Sequence, residues 1–328
     1  MTQLIDRFNR KIDYLRLSVT DRCDFRCVYC MPEKTTFLPR KDILSIEEMG
    51  AIARQFVELG VKKIRLTGGE PLIRNGIEKL FKDLATCKSL QTLTLTTNGS
   101  HLDRHIDHLL AANITRINVS LDSLQERRFQ QLTRTGNLHQ VLSNIDLAVK
   151  AGIKVKLNSV ILKGRNNDEV LDLTEFALRK SLDISFIEEM PLGHITEHQR
   201  DETFVSSAAL RQLITQKHRL TPSQITTGGP SRYWSTPSSS SLIGFISPHS
   251  DNFCSSCNRL RLTVQGRLLL CLGNEDSVDL KTLIRRYPDD DKRLKQTIID
   301  SLNKKPEKHH FDMTTAPDIV RFMNATGG

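Results

Sequence analysis

Aromatic side chains are scarce in this chain of 328 residues: Phe, Trp and Tyr make up 5% of it, with a single Trp. No long block of Lys or Arg appears either. Nucleic-acid grooves that tolerate any sequence set stacking aromatics among basic residues, so no nucleic-acid partner is expected. Apolar runs of about 18 residues, the length that spans a bilayer, are missing. Asp6, Arg7, Arg10, Lys11 and Asp13 interrupt the start of the chain, where a signal peptide would carry its apolar core. A soluble, cytoplasmic protein with no membrane partner is expected.

Cysteine is sparing but grouped. Of seven cysteines, six fall in two sets and Cys87 stands apart on an expected helix. That is no disulfide framework for a chain of this length; it reads as metal ligands and one buried thiol. The net charge of +9 points to a polyanionic partner, and without the nucleic-acid pattern a small polyanion fits best.

Cys23, Cys27 and Cys30 are spaced Cys-x3-Cys-x2-Cys at the end of an expected strand. Three thiolates hold a [4Fe–4S] cube and leave one iron open to a small molecule. The competing reading is structural zinc, which takes four ligands; the first histidine in the chain is His101, so the fourth ligand would have to be remote.

Short β-rich runs alternate with amphipathic ones. Strands are expected at 13–19, 62–67, 92–96, 116–121, 154–161 and 183–188, with helices at 102–112, 140–151 and 167–180 and a capping box at Ser45 opening another that Gly60 closes. Six strand–helix units make a curled parallel sheet: an α/β fold, a partial (β/α)6 TIM-like barrel over 1–218. The second unit, 219–328, opens with a loop-rich connector through Ser241. It continues with strand-like pieces at 242–247, 259–264 and 267–272 and helices at 278–285 and 292–303, as a small extension packed on the barrel. Chemistry in such barrels gathers at the C-terminal strand ends.

Cys254, Cys257 and Cys271 form a second set of three, Cys-x2-Cys-x13-Cys. Alone it would suggest zinc; beside the first set it suggests a second cluster with an open iron. Arg259 and Arg261 alternate on a strand and so share a face, and the guanidinium fork matches phosphate oxygens.

The run from Tyr14 to Cys23, Lys63-Ile-Arg-Leu-Thr-Gly-Gly-Glu-Pro-Leu72, Leu95-Thr-Thr-Asn-Gly99, Arg116-Ile-Asn-Val-Ser-Leu-Asp122, the run from Phe253 to Leu262 and the closing Gly327-Gly328 together resemble the GTP 3′,8-cyclase family of radical S-adenosylmethionine (SAM) enzymes. That family opens molybdenum-cofactor biosynthesis. The resemblance implies two [4Fe–4S] clusters and SAM as cofactors, with GTP as the polyanion. It implies Cys23, Cys27, Cys30, Cys254, Cys257 and Cys271 as metal ligands, and Tyr29, Gly69, Ser120 and Met190 at SAM. Arg16, Arg65, Thr96, Lys156, Arg259 and Arg261 would bind GTP; Arg16, Arg259, Arg261, Gly327 and Gly328 would serve catalysis, the glycine tail entering the active site. The implied partners are an electron donor such as a flavodoxin-type protein and, downstream, cyclic pyranopterin monophosphate synthase, with the chain a monomer or homodimer. Two positions depart from the family pattern: Ser185 replaces an Arg and Thr326 an Ile. The alternatives are a radical SAM peptide-modifying enzyme with an auxiliary cluster, and a non-catalytic metal- or nucleic-acid-binding module.

Overall fold

The computed structural model describes residues 3–195, 198–309, 311 and 319–327. Six strands recur with helices between them: β1 (Tyr14–Ser18), β2 (Lys63–Thr67), β3 (Thr92–Thr97), β4 (Arg116–Ser120), β5 (Lys154–Val160) and β6 (Asp183–Ile187). They lie side by side in chain order and every pair is parallel. Each strand alternates apolar with polar residues, so successive side chains take opposite faces. On one face Leu15, Leu17, Ile64, Leu66 and Phe186 join one hydrophobic core with Ile52 and Phe56 of α1 (Ile46–Glu58) and Leu80 and Phe81 of α2 (Ile77–Ala85). The opposite, concave face carries Tyr14, Arg16, Lys63, Arg65, Asn118 and Lys156.

Local signals set the helix limits. The Ser45 hydroxyl accepts from the Glu48 amide at 3.1 Å while the Glu48 carboxylate accepts from the Ser45 amide at 2.7 Å, the expected capping box. The expected helix 102–112 divides into a 3₁₀ turn, Leu102–Arg104, and α3 (Ile106–Ala111). After α4 (Glu126–Thr133) and α5 (Leu138–Lys150), the stretch 167–180 divides likewise, into the turn Asn167–Glu169 and α6 (Val170–Arg179). Cys87 lies past the end of α2 and is half-buried, not on a helix as expected.

The C-terminal segment departs most from expectation. Beyond α7 (Arg200–Thr203) and α8 (Ser207–Thr215), the stretch expected to be loop-rich contains β7 (Thr221–Ser223), β8 (Arg232–Thr236) and the start of β9 (Ser239–Ile246). Ser and Thr supply no apolar alternation there, and Pro222 is tolerated because β7 is an edge strand. The segment does not simply pack on the barrel; it lengthens the sheet at both edges. β9 runs parallel beside β6, and β10 (Arg259–Leu262) runs parallel beside β1, followed by antiparallel β11 (Arg267–Leu269) and β12 (Ser277–Asp279). The expected strand 267–272 therefore stops at Leu269, and the helix expected at 278–285 begins after β12, as α9 (Leu280–Arg286). Helices α10 (Asp291–Ser301) and α11 (Met323–Thr326) follow. Among the described residues the sheet has twelve strands in an open order that runs from β12 to β7.

Strand register assembles the site. Arg261 of β10 pairs with Arg16 of β1, and Arg16 with Arg65 of β2; one rung away, Arg259, Tyr14 and Lys63 align in the same way. Cationic side chains far apart in sequence are thereby set in rows on the concave face.

Candidate active site

Cys23, Cys27 and Cys30 lie on the loop after β1 and line one cavity of about 170 Å³ with Tyr29, Gly69, Thr96, Ser120, Asp122 and Met190. Gly69 is required by close approach: a Cβ there would sit 2.2 Å from the Arg22 carbonyl oxygen. Glu70, fully buried, ties two strand ends together. It accepts from the amides of Leu72 at 3.0 Å and Asn98 at 2.6 Å and from the Thr97 hydroxyl at 2.7 Å; burial nonetheless pushes its pKa up to about 8. The Tyr29 hydroxyl donates to Asp122 at 2.6 Å, whose pKa burial raises to about 6. Burial also raises the thiols. Cys23 is pushed up further by Glu70 and Asp24, Cys27 by Asp122, and Cys30 reaches about 12 although the Asn324 amide opposes the shift.

A second, larger cavity of about 530 Å³ is lined by Cys254, Cys257 and Cys271 together with Arg16, Lys63, Arg65, Lys156, Arg259 and Arg261. The two cavities share Asn158, Ile187, Met190, Arg261 and Leu272 as a common wall. Asp13 is the only acidic side chain among the described residues lining the second. Burial and mutual repulsion therefore act on the cations: Arg16 falls to about 10 and Arg261 well below its usual value, while Lys63 falls to about 8. Burial alone would raise the Tyr14 hydroxyl, but Arg65, Arg16 and Lys63 draw it down to about 6. Cys257 behaves alike: burial opposes ionisation, yet Arg259 and Lys305 bring the thiol down to about 7. Among the described residues the lining carries far more basic than acidic side chains, and a polyphosphate supplies negative charge with oxygens that suit guanidinium forks.

The C-terminal tail reaches both cavities. Met323 lines the first, and the Gly327 carbonyl accepts from Arg261 at 2.6 Å and Arg16 at 3.5 Å. Gly327 has φ +76°, and a Cβ would lie 2.2 Å from the Thr67 side chain, so no other residue fits without displacing a neighbour. Gly328 lies outside the described residues. Thr326, at the position where the sequence departs from Ile, is buried, and its hydroxyl donates to the Met323 carbonyl at 3.2 Å.

Most residues singled out from the sequence converge on these two cavities. Thr96 faces the first rather than the second, where it accepts from Arg65 at 3.1 Å. Ser185 lines neither. It is fully buried, with its hydroxyl 2.7 Å from that of Ser231, and the space beside it is closed: a Cβ on Gly244 would come within 2.4 Å of Ser185 Oγ. The sequence reading missed Tyr14 and Lys63, although alternation with Arg16 and Arg65 puts them on the same face. It also missed Tyr233, whose hydroxyl accepts from Lys156 at 2.9 Å, and His309, 2.9 Å from the Cys254 sulfur. Neither carried a local signal.

The donor sets suit iron–sulfur clusters. Each presents three free cysteines to one cavity.

Two family models match the chain: Radical SAM superfamily over residues 17–177 and Molybdenum Cofactor Synthesis C over 182–311. A GTP 3′,8-cyclase of Pseudomonas putida (strain W619) is 57% identical over 99% of this chain and 98% of that protein. The chain belongs to the GTP 3′,8-cyclase family. A second GTP 3′,8-cyclase, from Pseudomonas syringae pv. syringae (strain B728a), is 56% identical over the same shares. Among solved structures, that of Streptococcus suis SuiB covers 98% of this chain and 79% of its own, with TM-score 0.64 at 18% identity, a likeness of fold. SuiB has also been solved with its precursor peptide SuiA, at TM-score 0.64. In this member of the GTP 3′,8-cyclase family the sheet runs unbroken through both matched regions, since β5 of the first match pairs directly with β6 of the second.

Proposed function

We infer that the protein is a radical SAM enzyme that cyclises GTP to (8S)-3′,8-cyclo-7,8-dihydroguanosine 5′-triphosphate, the first step of molybdenum cofactor biosynthesis. The observation that carries the reading is the cationic cavity sharing a wall with a thiol-lined one. SAM held at the first cluster would supply, on one-electron reduction with release of methionine, a 5′-deoxyadenosyl radical able to take the C3′ hydrogen of GTP; bonding of C3′ to guanine C8 leaves the unpaired electron on the ring, and a second electron with a proton gives the 7,8-dihydro product.

The chain's own work is to bind and orient. Cys23, Cys27 and Cys30 hold the first cluster, with Tyr29, Gly69, Ser120 and Met190 around SAM; Cys254, Cys257 and Cys271 hold the second. Arg16, Arg65, Lys156, Arg259 and Arg261 neutralise the triphosphate, and Thr96 orients Arg65. Gly327 closes the space beside Arg16 and Arg261, and the reading gives it and Gly328 the part of keeping water from the reacting carbon. The reading assigns the electron to a flavodoxin-type donor and the product to cyclic pyranopterin monophosphate synthase, in the cytoplasm, with the chain a monomer or homodimer. No helix among the described residues is long and apolar enough to cross a membrane.

Anaerobic reconstitution with iron and sulfide, followed by SAM, reductant and 3′-deuterated GTP, tests the assignment. Deuterated 5′-deoxyadenosine and cyclised nucleotide are expected in equal amounts. SAM cleavage with no nucleotide product, or tighter binding of a peptide than of GTP, would return the reading to a peptide-modifying enzyme.

A further inference from the structure

Two lysines of the cationic cavity, Lys63 of β2 and Lys156 of β5, stand on different strands, yet both are tied to Thr227 on the loop between β7 and β8. The Lys63 ammonium donates to the Thr227 carbonyl at 2.6 Å. The Lys156 ammonium donates to the Tyr233 hydroxyl at 2.9 Å, and that hydroxyl lies 3.1 Å from Thr227 Oγ1. An ammonium has no lone pair, so the phenol oxygen accepts from it and the phenol proton is left for Thr227. Lys156 also sits over the Tyr233 ring, 5.1 Å from its centroid, as Lys63 sits over Tyr14 at 4.7 Å. The sheet, not the lysine, fixes Tyr233. It pairs with Gly244 of β9, and its buried ring takes the space that this glycine leaves: a Cβ there would lie 2.9 Å from Tyr233 Cε1. The bond to Tyr233 is the one hydrogen bond that the Lys156 ammonium makes among the described residues. Burial lowers the pKa of Lys156, and Tyr233 opposes the shift.

We propose that Tyr233 is a positioning residue for the triphosphate: its hydroxyl, backed by Thr227, fixes the Lys156 ammonium so that the two N–H groups left over serve the cationic cavity. This rests on the GTP reading above. Lysine is a point charge on a flexible stem, and a free one loses rotamer freedom when it closes on a phosphate. A lysine already held by a rigid acceptor loses less, so the phenol strengthens binding with no contact of its own to the substrate. Phenylalanine at 233 would keep the ring under Lys156 and remove only the hydroxyl. Lys63 provides the contrast: its acceptor is a main-chain carbonyl, which no side-chain change removes. The Tyr233 hydroxyl is therefore the point at which the hold on Lys156 can be released while the cavity keeps all its charges.

The test compares Y233F, K156M and the double variant as reconstituted holoenzymes, by steady-state kinetics and by calorimetry with GTP and with SAM. Iron content and circular dichroism check folding. In Y233F the KM and Kd for GTP are expected to rise roughly tenfold, as for loss of a hydrogen bond to a charged group, while kcat moves by no more than about twofold and SAM affinity stays put. A tyrosine that merely filled space would not split KM from kcat. Adding Y233F to K156M should weaken GTP binding no further, because the phenol then has no ammonium to hold. T227V, which removes the group that takes the phenol proton, should give a smaller rise of about threefold in the same direction, and it keeps the test open if Y233F does not fold. An unchanged GTP affinity in Y233F, or in T227V where Y233F fails to fold, overturns the proposal, as does an equal loss from Y233F with and without Lys156. A wild type that never binds or cyclises GTP overturns the parent reading instead.

Discussion

The two cysteine-lined cavities share a wall and carry opposite fields. Burial holds every thiol of Cys23, Cys27 and Cys30 above its usual pKa, and the charged neighbours Glu70, Asp24 and Asp122 push in the same direction. In the second set Arg259 and Lys305 outweigh burial at Cys257, whose thiol falls to about 7, although burial raises Cys271. The same ligand type on the same sheet thus meets an acidic setting on one side and a basic one on the other. SAM is a cation at its sulfonium and ammonium groups and GTP is a polyanion, so each field matches the small molecule assigned to it. Cluster-binding residues alone do not discriminate between the cavities; the second layer of charge does.

The most severe way to break the comparison is to remove one ligand from each set. Cys27→Ser is expected to reduce 5′-deoxyadenosine formation to background. Cys271→Ser should leave SAM cleavage running while the cyclised nucleotide disappears, as chromatography of both products would reveal. If both variants lose SAM cleavage equally, the division of labour is wrong.

Next in size is Arg259→Ala. Arg259 lines only the cationic cavity, and a charge-assisted hydrogen bond is worth about 1.5–3 kcal/mol, so GTP should bind about 10- to 100-fold more weakly. Calorimetry should find SAM affinity unchanged; a matching loss of SAM binding would mean that the fields are not separate.

The fields are also legible in thiol reactivity before any cluster is built, since only thiolate reacts. In the metal-free protein, alkylation of Cys257 should rise through pH 7 and level off, because its pKa is about 7. Labelling of Cys27 and Cys30 should still be climbing in strong base, because their pKa values are raised. Mass spectrometry of labelled peptides measures each site, and equal rates at pH 7.5 would contradict the contrast. In Arg259→Ala the Cys257 profile should move to higher pH, as one of its cations is gone.

The smallest effect concerns the departure at Ser185. With Ser231 at 2.7 Å and Gly244 packed alongside, Ser185→Arg has no space and should cost about 1–3 kcal/mol of stability through overpacking. A lowered melting temperature without tighter GTP binding is expected. Tighter binding at unchanged stability would mean that the Ser231 loop yields easily.

Much of this was legible in the chain. The six central strands follow from two-residue alternation, and both cysteine sets from spacing. The alternation of Arg16 with Tyr14 and of Arg65 with Lys63 contained the cationic face, though only the arginines were taken from it. β7, β8 and the first residues of β9 were not legible, because these Ser- and Thr-rich stretches, with Pro222 in the edge strand β7, carry no apolar period; the rest of β9 meets the strand expected at 242–247. Tyr233 and His309 were not legible either, since each acquires its partner, Lys156 or Cys254, only through folding.

The sequence by itself determined the chemistry available: two sets of three thiols, arginines on alternate positions, and a tail ending in residues without side chains. Tertiary structure decided the rest. Only the parallel pairing of β10 with β1 brings Arg259 and Arg261 into register with Tyr14 and Arg16, and only folding seats Gly327 against Thr67 and Asn324 on Asp21. Alternation along a strand is local and fixes which side chains share a face. Which strands become neighbours, and so which charges gather in one cavity, depends on burying the apolar faces of the whole sheet at once.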